Sequence, residues 1–530
     1  MTDDLTKVVE DSARGGFFLI SGSLSATVIS AVTSILIGRL LGPELYGQFY
    51  LSLVIPQMLL IFSDLGIAAG VTKFAASLRA EGKHYQAAKI IKNAILLRAL
   101  IALIFFLLNF TLADYLASVL LRRPDLGFYV RLTSISIAFN MILTIANSAF
   151  LGLDKTHNAA LITNIQAISE AIISIGLVAV GLSITGAVLG YVASYAVTSI
   201  VGLSMLLLIL HRYLREKKNP ADDFSFPQTF KTLMRYGIPL YTSGILAGFI
   251  YQYQNFILAI FTTNSDIGNL RVAANLITII TVFSAPITTT LFPAFSKLNS
   301  SKNAELTTFF KFANKYVTLL IVPIATLLII FSKEIVEITY GSKYQTAALF
   351  LSINCLLYFL VGLGYLTLTS LFNGLGETRI TFKINLIIFL TLLPLSPLLA
   401  KAYGVPGVIS ALISANTAGT CYGIYTAKRK FKIKIEPNSI IKIYIIGVAS
   451  TVPSILLLQI STLPQLIKII SGGLIYLFTY TTLAPLTKIV NKSELEIATQ
   501  IVQKIKPFAT IIKPFLIYQE KILNHQKSKT

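Results

Sequence analysis

Residues 157–211 read HNAALITNIQAISEAIISIGLVAVGLSITGAVLGYVASYAVTSIVGLSMLLLILH, and Glu170 is the one Asp, Glu, Lys or Arg among them. On either side of Gly181-Leu182-Ser183 lies an apolar run long enough to cross the roughly 30 Å hydrocarbon core of a bilayer as a helix. A three-residue connection forces the two helices into an antiparallel hairpin. The period-2 alternation that a membrane β-barrel strand requires is missing.

Runs of this kind recur from Gly16 to Leu486, and the whole chain is 55% hydrophobic and 13% charged. So few polar residues cannot coat one or two soluble domains. The expected fold is an all-α polytopic membrane protein of about fourteen transmembrane helices. Breakers and charge clusters put the spans near 16–40, 46–68, 88–110, 128–152, 157–181, 184–211, 236–262, 270–294, 312–332, 346–372, 380–402, 405–427, 440–460 and 464–487. Cys355 and Cys421 both fall inside spans, which leaves neither a disulfide framework nor a CxxC metal site. The N-terminus lacks the pattern of a cleaved secretory signal, so the first span is expected to be retained.

The net charge of +21 is explained by position. With the N-terminus and every even-numbered loop assigned to one side, that side holds about 33 of the 44 Lys and Arg, among them Lys73, Arg79, Arg212, Lys217 and Lys428. The other side holds about eight, including Arg39, Arg122, Arg123 and Arg271, while Arg98, Arg131 and Lys488 stay unassigned. This asymmetry is the positive-inside signature: both termini are expected in the cytoplasm of a cell whose plasma membrane holds the chain, with basic loops facing anionic lipid rather than nucleic acid.

The punctuation repeats at an offset of about 221 residues. Gly47 in Pro43-Glu44-Leu45-Tyr46-Gly47 pairs with Gly268 in Asn264-Ser265-Asp266-Ile267-Gly268. Phe150-Leu151-Gly152-Leu153-Asp154-Lys155-Thr156 pairs with Phe372-Asn373-Gly374-Leu375-Gly376-Glu377-Thr378, and Gly186 pairs with Gly407. Six helices per unit make the two copies run the same way through the membrane, an arrangement in which transporters place a substrate path between halves. The domain reading is therefore a cytoplasmic N-terminus (1–15), an N-terminal six-helix bundle (16–211), a cytoplasmic linker (212–235), a C-terminal six-helix bundle (236–427), a basic loop with two further helices (428–489), and a tail (490–530) that is either amphipathic or mobile.

Polar side chains inside a bilayer tend to face protein or water, so their helical spacing marks interior faces. Five stripes result: Ser23, Thr27, Ser30 and Ser34; Thr133, Ser136, Asn140, Thr144 and Asn147; Thr163, Gln166, Glu170 and Ser174; Tyr251, Gln252, Gln254 and Asn255; and Asn354, Tyr358, Tyr365 and Thr369. Each stripe reads equally as helix-packing glue or as cavity lining; five of them, split over both halves, favour a shared polar cavity. Among intramembrane charges, Arg98 is the candidate to hold an anionic group. Glu170 is either its counter-ion or a protonatable coupling site, and Asp64 is a second coupling candidate that could instead snorkel to the interface. No nucleophile elbow, HExxH or P-loop is present, so an enzyme is not expected, nor is a metal or other cofactor.

The segments Gly15-Gly16-Phe17, Gly38-Arg39-Leu40-Leu41-Gly42-Pro43-Glu44-Leu45-Tyr46-Gly47, Ser63-Asp64-Leu65-Gly66, Tyr236-Gly237-Ile238-Pro239 and Phe292-Pro293-Ala294-Phe295 together resemble the polysaccharide-biosynthesis transporters, the Wzx-like oligosaccharide flippases. That family shares a superfamily with multidrug and toxic-compound extruders and lipid II flippases. The resemblance implies two six-helix bundles plus a C-terminal pair, and movement of a lipid-linked oligosaccharide on a polyisoprenoid phosphate or pyrophosphate from inner to outer leaflet. It implies a cationic cavity as well, with coupling to a proton, to sodium or to the membrane potential. Implied partners are membrane lipids and the glycosyltransferases or polymerase of the same pathway. Two readings compete with this one, a cation-coupled extruder of drugs or metabolites and a non-transporting scaffold. Drug extruders often carry an acidic residue deep in the first or seventh span, and both spans lack one here.

Overall fold

The computed structural model describes residues 2–215, 225–298, 303–434, 436–460, 463–490, 495 and 517–523. Most of the expected tail, with Lys217, Lys218 and part of the linker at 212–235, lies outside them. The described residues are almost entirely helical and contain no strand. The helices are α1 (Thr2–Ser63), α2 (Ile67–Ala80), α3 (His84–Val119), α4 (Gly127–Gly152), α5 (Thr156–Leu177), α6 (Ser183–Leu214), α7 (Phe226–Phe261) and α8 (Asn264–Lys297). They continue as α9 (Asn303–Ile330), α10 (Ser332–Thr339), α11 (Ala347–Cys355), α12 (Thr367–Gly374), α13 (Thr378–Phe431), α14 (Pro437–Ala449), α15 (Thr451–Ile460) and α16 (Gln465–Leu486).

Ten of these helical stretches are long and apolar enough to cross a membrane, eleven if the bent pair Ala347–Leu363 and Thr367–Gly374 counts as one. The difference from the fourteen expected spans has one physical cause. Phe18–Ser63, Thr156–Leu214 and Thr378–Phe431 each run on through a break in the backbone. The breaks fall at Gly42 (φ 73°, ψ 173°), at Gly181 with Ser183 (φ 94° and 50°), and at Gly404 (φ 58°, ψ −134°). These are the places where the sequence sets span boundaries. A residue without Cβ takes a positive φ at no steric cost, which is why glycine occupies most of these corners.

The chain forms two compact units. The first comprises Met1–Asn275 with Pro394–Val408, and the second Leu276–Leu393 with Ile409–Thr530. The first unit thus reaches beyond the expected six-helix bundle and takes in α7 and the first turns of α8. Its core is an apolar cluster that includes Ile67, Val71, Ala88, Ile91, Ile145, Phe150, Ile162 and Leu206. On α3 the opposite face leaves Leu100, Leu103 and Ile104 more than half exposed. A bare apolar stripe beside a packed one is what a lipid-facing helix presents.

The internal repeat is visible in the backbone. Ser183 (φ 50°, ψ −134°) and Gly404 (φ 58°, ψ −134°) share a conformation at an offset of 221 residues. At the end of α4, Leu153, Asp154 and Lys155 donate backbone hydrogen bonds to Ala149, Leu151 and Phe150. At the end of α12, Leu375, Gly376 and Glu377 donate to Leu371, Asn373 and Phe372 in the same pattern. The packing repeats too. A Cβ on Gly152 would lie 2.8 Å from the Ala75 Cβ and 2.9 Å from the Thr72 oxygen; on Gly374 it would lie 2.7 Å from the Phe295 Cβ and 2.8 Å from the Phe292 oxygen.

Candidate functional site

Three helices of the first unit build the site: α1 on both sides of Gly42, together with α7 and the start of α8. Two glycines set their spacing. A Cβ on Gly47 would stand 1.8 Å from the carbonyl oxygen of Asn264, and one on Gly268 would stand 2.0 Å from that of Pro43. The contact is reciprocal between positions that the sequence pairs as repeats. It lets two helix N-termini approach backbone to backbone, and Asn264 Nδ2 donates to Glu44 Oε1 across it at 2.7 Å.

This crossing brings Tyr46 and Tyr50 of α1 against Arg271 and Asn275 of α8. Arg271 donates from Nη1 to the Tyr251 hydroxyl at 2.6 Å and from Nη2 to Asn255 Oδ1 at 2.8 Å. Its guanidinium carbon also lies 4.9 Å from the centre of the Tyr50 ring. Ring faces and neutral oxygens stabilise the cation, and among the described residues no carboxylate pairs with it. Arg271 lies seven residues into α8, about 10 Å along the helix at 1.5 Å per residue. One turn further on, Asn275 donates to Ser34 and, at 3.1 Å, to Tyr46, whose hydroxyl lies 2.7 Å from Ser34 Oγ.

From Arg271 a polar chain runs inward. Asn255 Nδ2 donates to Gln252 Oε1 at 3.1 Å, and Gln252 Nε2 to Gln57 Oε1 at 3.4 Å. Further along the first unit, the ring centres of Tyr191 and Tyr195 lie 5.0 Å apart. Asn140 Oδ1 accepts from Thr144 Oγ1 on its own helix at 3.2 Å. Glu170 accepts from Gln166 Nε2 at 2.9 Å. The hydrogen-bonded chain from Arg271 thus reaches Gln57 through Asn255 and Gln252, and Gln166 with Glu170 form a separate pair.

Of the residues singled out by spacing, Ser34, Gln252 and Asn255 meet around Arg271 and Asn275, Gln166 and Glu170 bond each other, and Asn140 bonds Thr144. Ser23, Thr27 and Ser30 do not join them. Thr27 bonds back to the Ser23 carbonyl of its own helix at 2.8 Å, and contact with α5 is made from the adjacent face, where Ser25 Oγ donates to Asn164 Oδ1 at 2.7 Å. Asn147 is half-buried on α4 outside the network, and Asn354 with the buried Tyr358 belongs to the second unit.

Arg98 differs from the expectation. Buried on α3, it donates from Nη1 to the Ser63 carbonyl at 2.9 Å and pairs with Asp64 Oδ1 at 3.4 Å. Its carboxylate is Asp64, not Glu170, and the pair ties α3 to the end of α1. Spacing alone missed Arg271, Tyr50, Gln57 and Asn275. The signals were present: a lone glutamine in an apolar run, a Tyr pair at i, i+4, and an arginine just inside a span rather than in a loop.

The described residues thus combine helices long and apolar enough to cross a membrane, a repeated backbone pattern and hydrogen-bonded polar side chains between helices. The family model described as polysaccharide biosynthesis protein matches residues 12–299, more than half of the chain, and the protein belongs to that family. The model for the lipid II flippase MurJ matches residues 241–477. Among curated proteins, the chain is 24% identical over 341 residues to the probable low-salt glycan biosynthesis flippase Agl15 of Haloferax volcanii, covering 64% of this chain and 67% of that protein. It is 21% identical over 375 residues to stage V sporulation protein B of Bacillus subtilis, covering 66% and 71%. The fold is similar to that of lipid II flippase MurJ in an inward closed conformation, with TM-score 0.70, 16% identity, and 88% and 99% of the two chains covered. It is also similar to a multidrug resistance MATE family transporter of the MOP superfamily, with TM-score 0.59, 15% identity, and 77% and 94% covered. The protein is a multi-pass membrane protein of flippase type, and its relatives are flippases and transporters rather than enzymes.

Proposed function

We propose that this protein carries a lipid-linked oligosaccharide, on a polyisoprenoid phosphate or pyrophosphate, from the inner to the outer leaflet of the plasma membrane by alternating access. The observation that carries the reading is Arg271, a guanidinium with no paired carboxylate among the described residues, in a helix long and apolar enough to cross a membrane. Its planar fork matches phosphate oxygens, and charge-assisted hydrogen bonds of this kind are the strong ones. A cationic drug would be repelled at this position, which argues against the extruder reading. With both termini cytoplasmic, Arg271 lies in the outward half of the bilayer and Arg98 in the inward half. Glu170, which accepts from Gln166, is the candidate for coupling to a proton or sodium gradient; Asp64, already paired with Arg98, is the weaker one. Surface glycan enzymes of the same pathway are the proposed partners.

The test is deletion of the gene with complementation, reading surface glycan and the pool of lipid-linked precursor. Wild-type complementation should restore glycan and clear the precursor, whereas Arg271→Gln at equal expression should do neither. Unchanged glycan in the deletion, with new sensitivity to toxic cations, would replace this reading with the extruder.

A further inference from the structure

The second unit holds a cavity of about 720 Å³, within the range of small-molecule sites. It lies between the end of α8, the bent segment around α12 and the two arms of α13. Gly419 and Gly423 on the second arm let it approach Ile388 and Ile384 on the first, with notional Cβ distances of 2.6 and 3.2 Å. The lining residues include no Asp, Glu, Lys, Arg or His. The side chains of Tyr365, Thr369, Asn385 and Thr420 line it without a hydrogen-bond partner among the described residues. Asn416 spends its Nδ2 on the Leu412 carbonyl at 2.8 Å and keeps its Oδ1 free, and Phe292 contributes an aromatic face.

Polar groups at membrane depth are costly when unpaired, so unspent amides and hydroxyls around a roomy cavity call for a hydrogen-bonding occupant. An ion would find no opposite charge there. An apolar molecule would strand the amides. Vicinal hydroxyls both donate and accept, as Asn and Thr side chains do, and a sugar ring adds an apolar face that packs on an aromatic ring. We infer that this cavity is a subsite for uncharged sugar residues of the transported glycan, separate from the charge-bearing group held at Arg271. The inference rests on the flippase reading above.

The test uses the full chain in lipid nanodiscs with two probes: the lipid-linked oligosaccharide extracted from deletion cells that accumulate it, and the bare polyisoprenyl phosphate left after its glycan is removed. The wild-type protein should bind the intact probe at least tenfold more tightly than the bare carrier. Asn385→Leu and Thr420→Val, which nearly preserve shape, should each weaken intact-probe binding about three- to tenfold and leave bare-carrier binding unchanged. Arg271→Gln should weaken both probes alike. Melting without probe checks that each variant is folded, and Thr369→Phe, which fills the cavity, should lose the preference by a different route. Full preference retained in the Asn385, Thr420 and Thr369 variants would overturn the subsite, as would a wild-type protein that does not distinguish the probes. Failure of the deletion to accumulate any lipid-linked glycan would instead remove the flippase reading itself.

Discussion

Arg98 and Arg271 both lie in helices of the same unit that are long and apolar enough to cross a membrane, and they are solvated in opposite ways. Arg98 faces a carboxylate at 3.4 Å and a backbone carbonyl at 2.9 Å, and its side chain is 3% exposed. Arg271 faces a phenol, an amide and an aromatic ring. Neutral groups stabilise a guanidinium without cancelling its charge; a carboxylate cancels it. The first arginine is spent on holding α3 to α1, and the second keeps its field available for an anion. A place in an apolar helix identifies both as costly residues, but the identity of the partner assigns the role.

The largest effect expected on folding comes from Arg98→Met. Removing one member of a buried pair leaves Asp64 uncompensated, and about 3 kcal/mol of stability should go, the low end for such a deletion because Asp64 is 33% exposed. The check is thermal melting of purified protein beside transport per folded molecule: the first should fall sharply and the second stay near wild type. Loss of transport at unchanged melting would give Arg98 the anion-holding role that its sequence position suggested.

Arg271→Gln should reverse that pattern. The glutamine amide can still donate to the Tyr251 hydroxyl and Asn255 Oδ1, so melting should move by only a few degrees. Transport should drop at least about a hundredfold, the scale of a lost charge-assisted bidentate contact. Between these two lies Asn255→Asp, which adds the carboxylate that Arg271 lacks and makes its surroundings copy those of Arg98. Melting should rise slightly and transport should fall roughly tenfold, because a neutralised guanidinium binds phosphate poorly. Transport unchanged in Asn255→Asp would show that the free charge of Arg271 is not what the substrate uses.

The fold was largely legible because hydropathy is one-dimensional: a run of apolar residues needs no partner to be recognised. The repeat was legible for a related reason, since glycines and turn residues at 47 and 268, or 152 and 374, answer to backbone geometry close by. The site was legible only in part. Glu170 stood out as the single carboxylate in a long apolar stretch, and Gln166 sat one turn away. Arg271 did not stand out, because a cation seven residues into a helix reads the same as one in the preceding loop. Its cage of Tyr50, Tyr251 and Asn255 comes from two other helices, brought close by glycine contacts that no local pattern encodes. The hydroxyl stripe of α1 misled in the other direction. Thr27 satisfies its hydroxyl on its own helix, as Ser and Thr commonly do, so hydroxyl spacing over-reports interior faces.

The smallest effect tests the cage itself. Tyr251→Phe removes the hydroxyl that receives Arg271 Nη1 at 2.6 Å but keeps the ring, whose centre lies 5.8 Å from the guanidinium carbon. A hydrogen bond from a charged donor contributes about 1.5–3 kcal/mol, which taken alone would weaken carrier binding by about tenfold or more. Against that, the freed N–H becomes a further donor for phosphate oxygens, and a charge-assisted bond gained there offsets the bond lost. The net change in affinity for polyisoprenyl phosphate should therefore stay within about threefold of wild type. A loss of tenfold or more would mean that the Tyr251 hydroxyl touches the carrier directly, and the binding site would then extend from α8 onto α7.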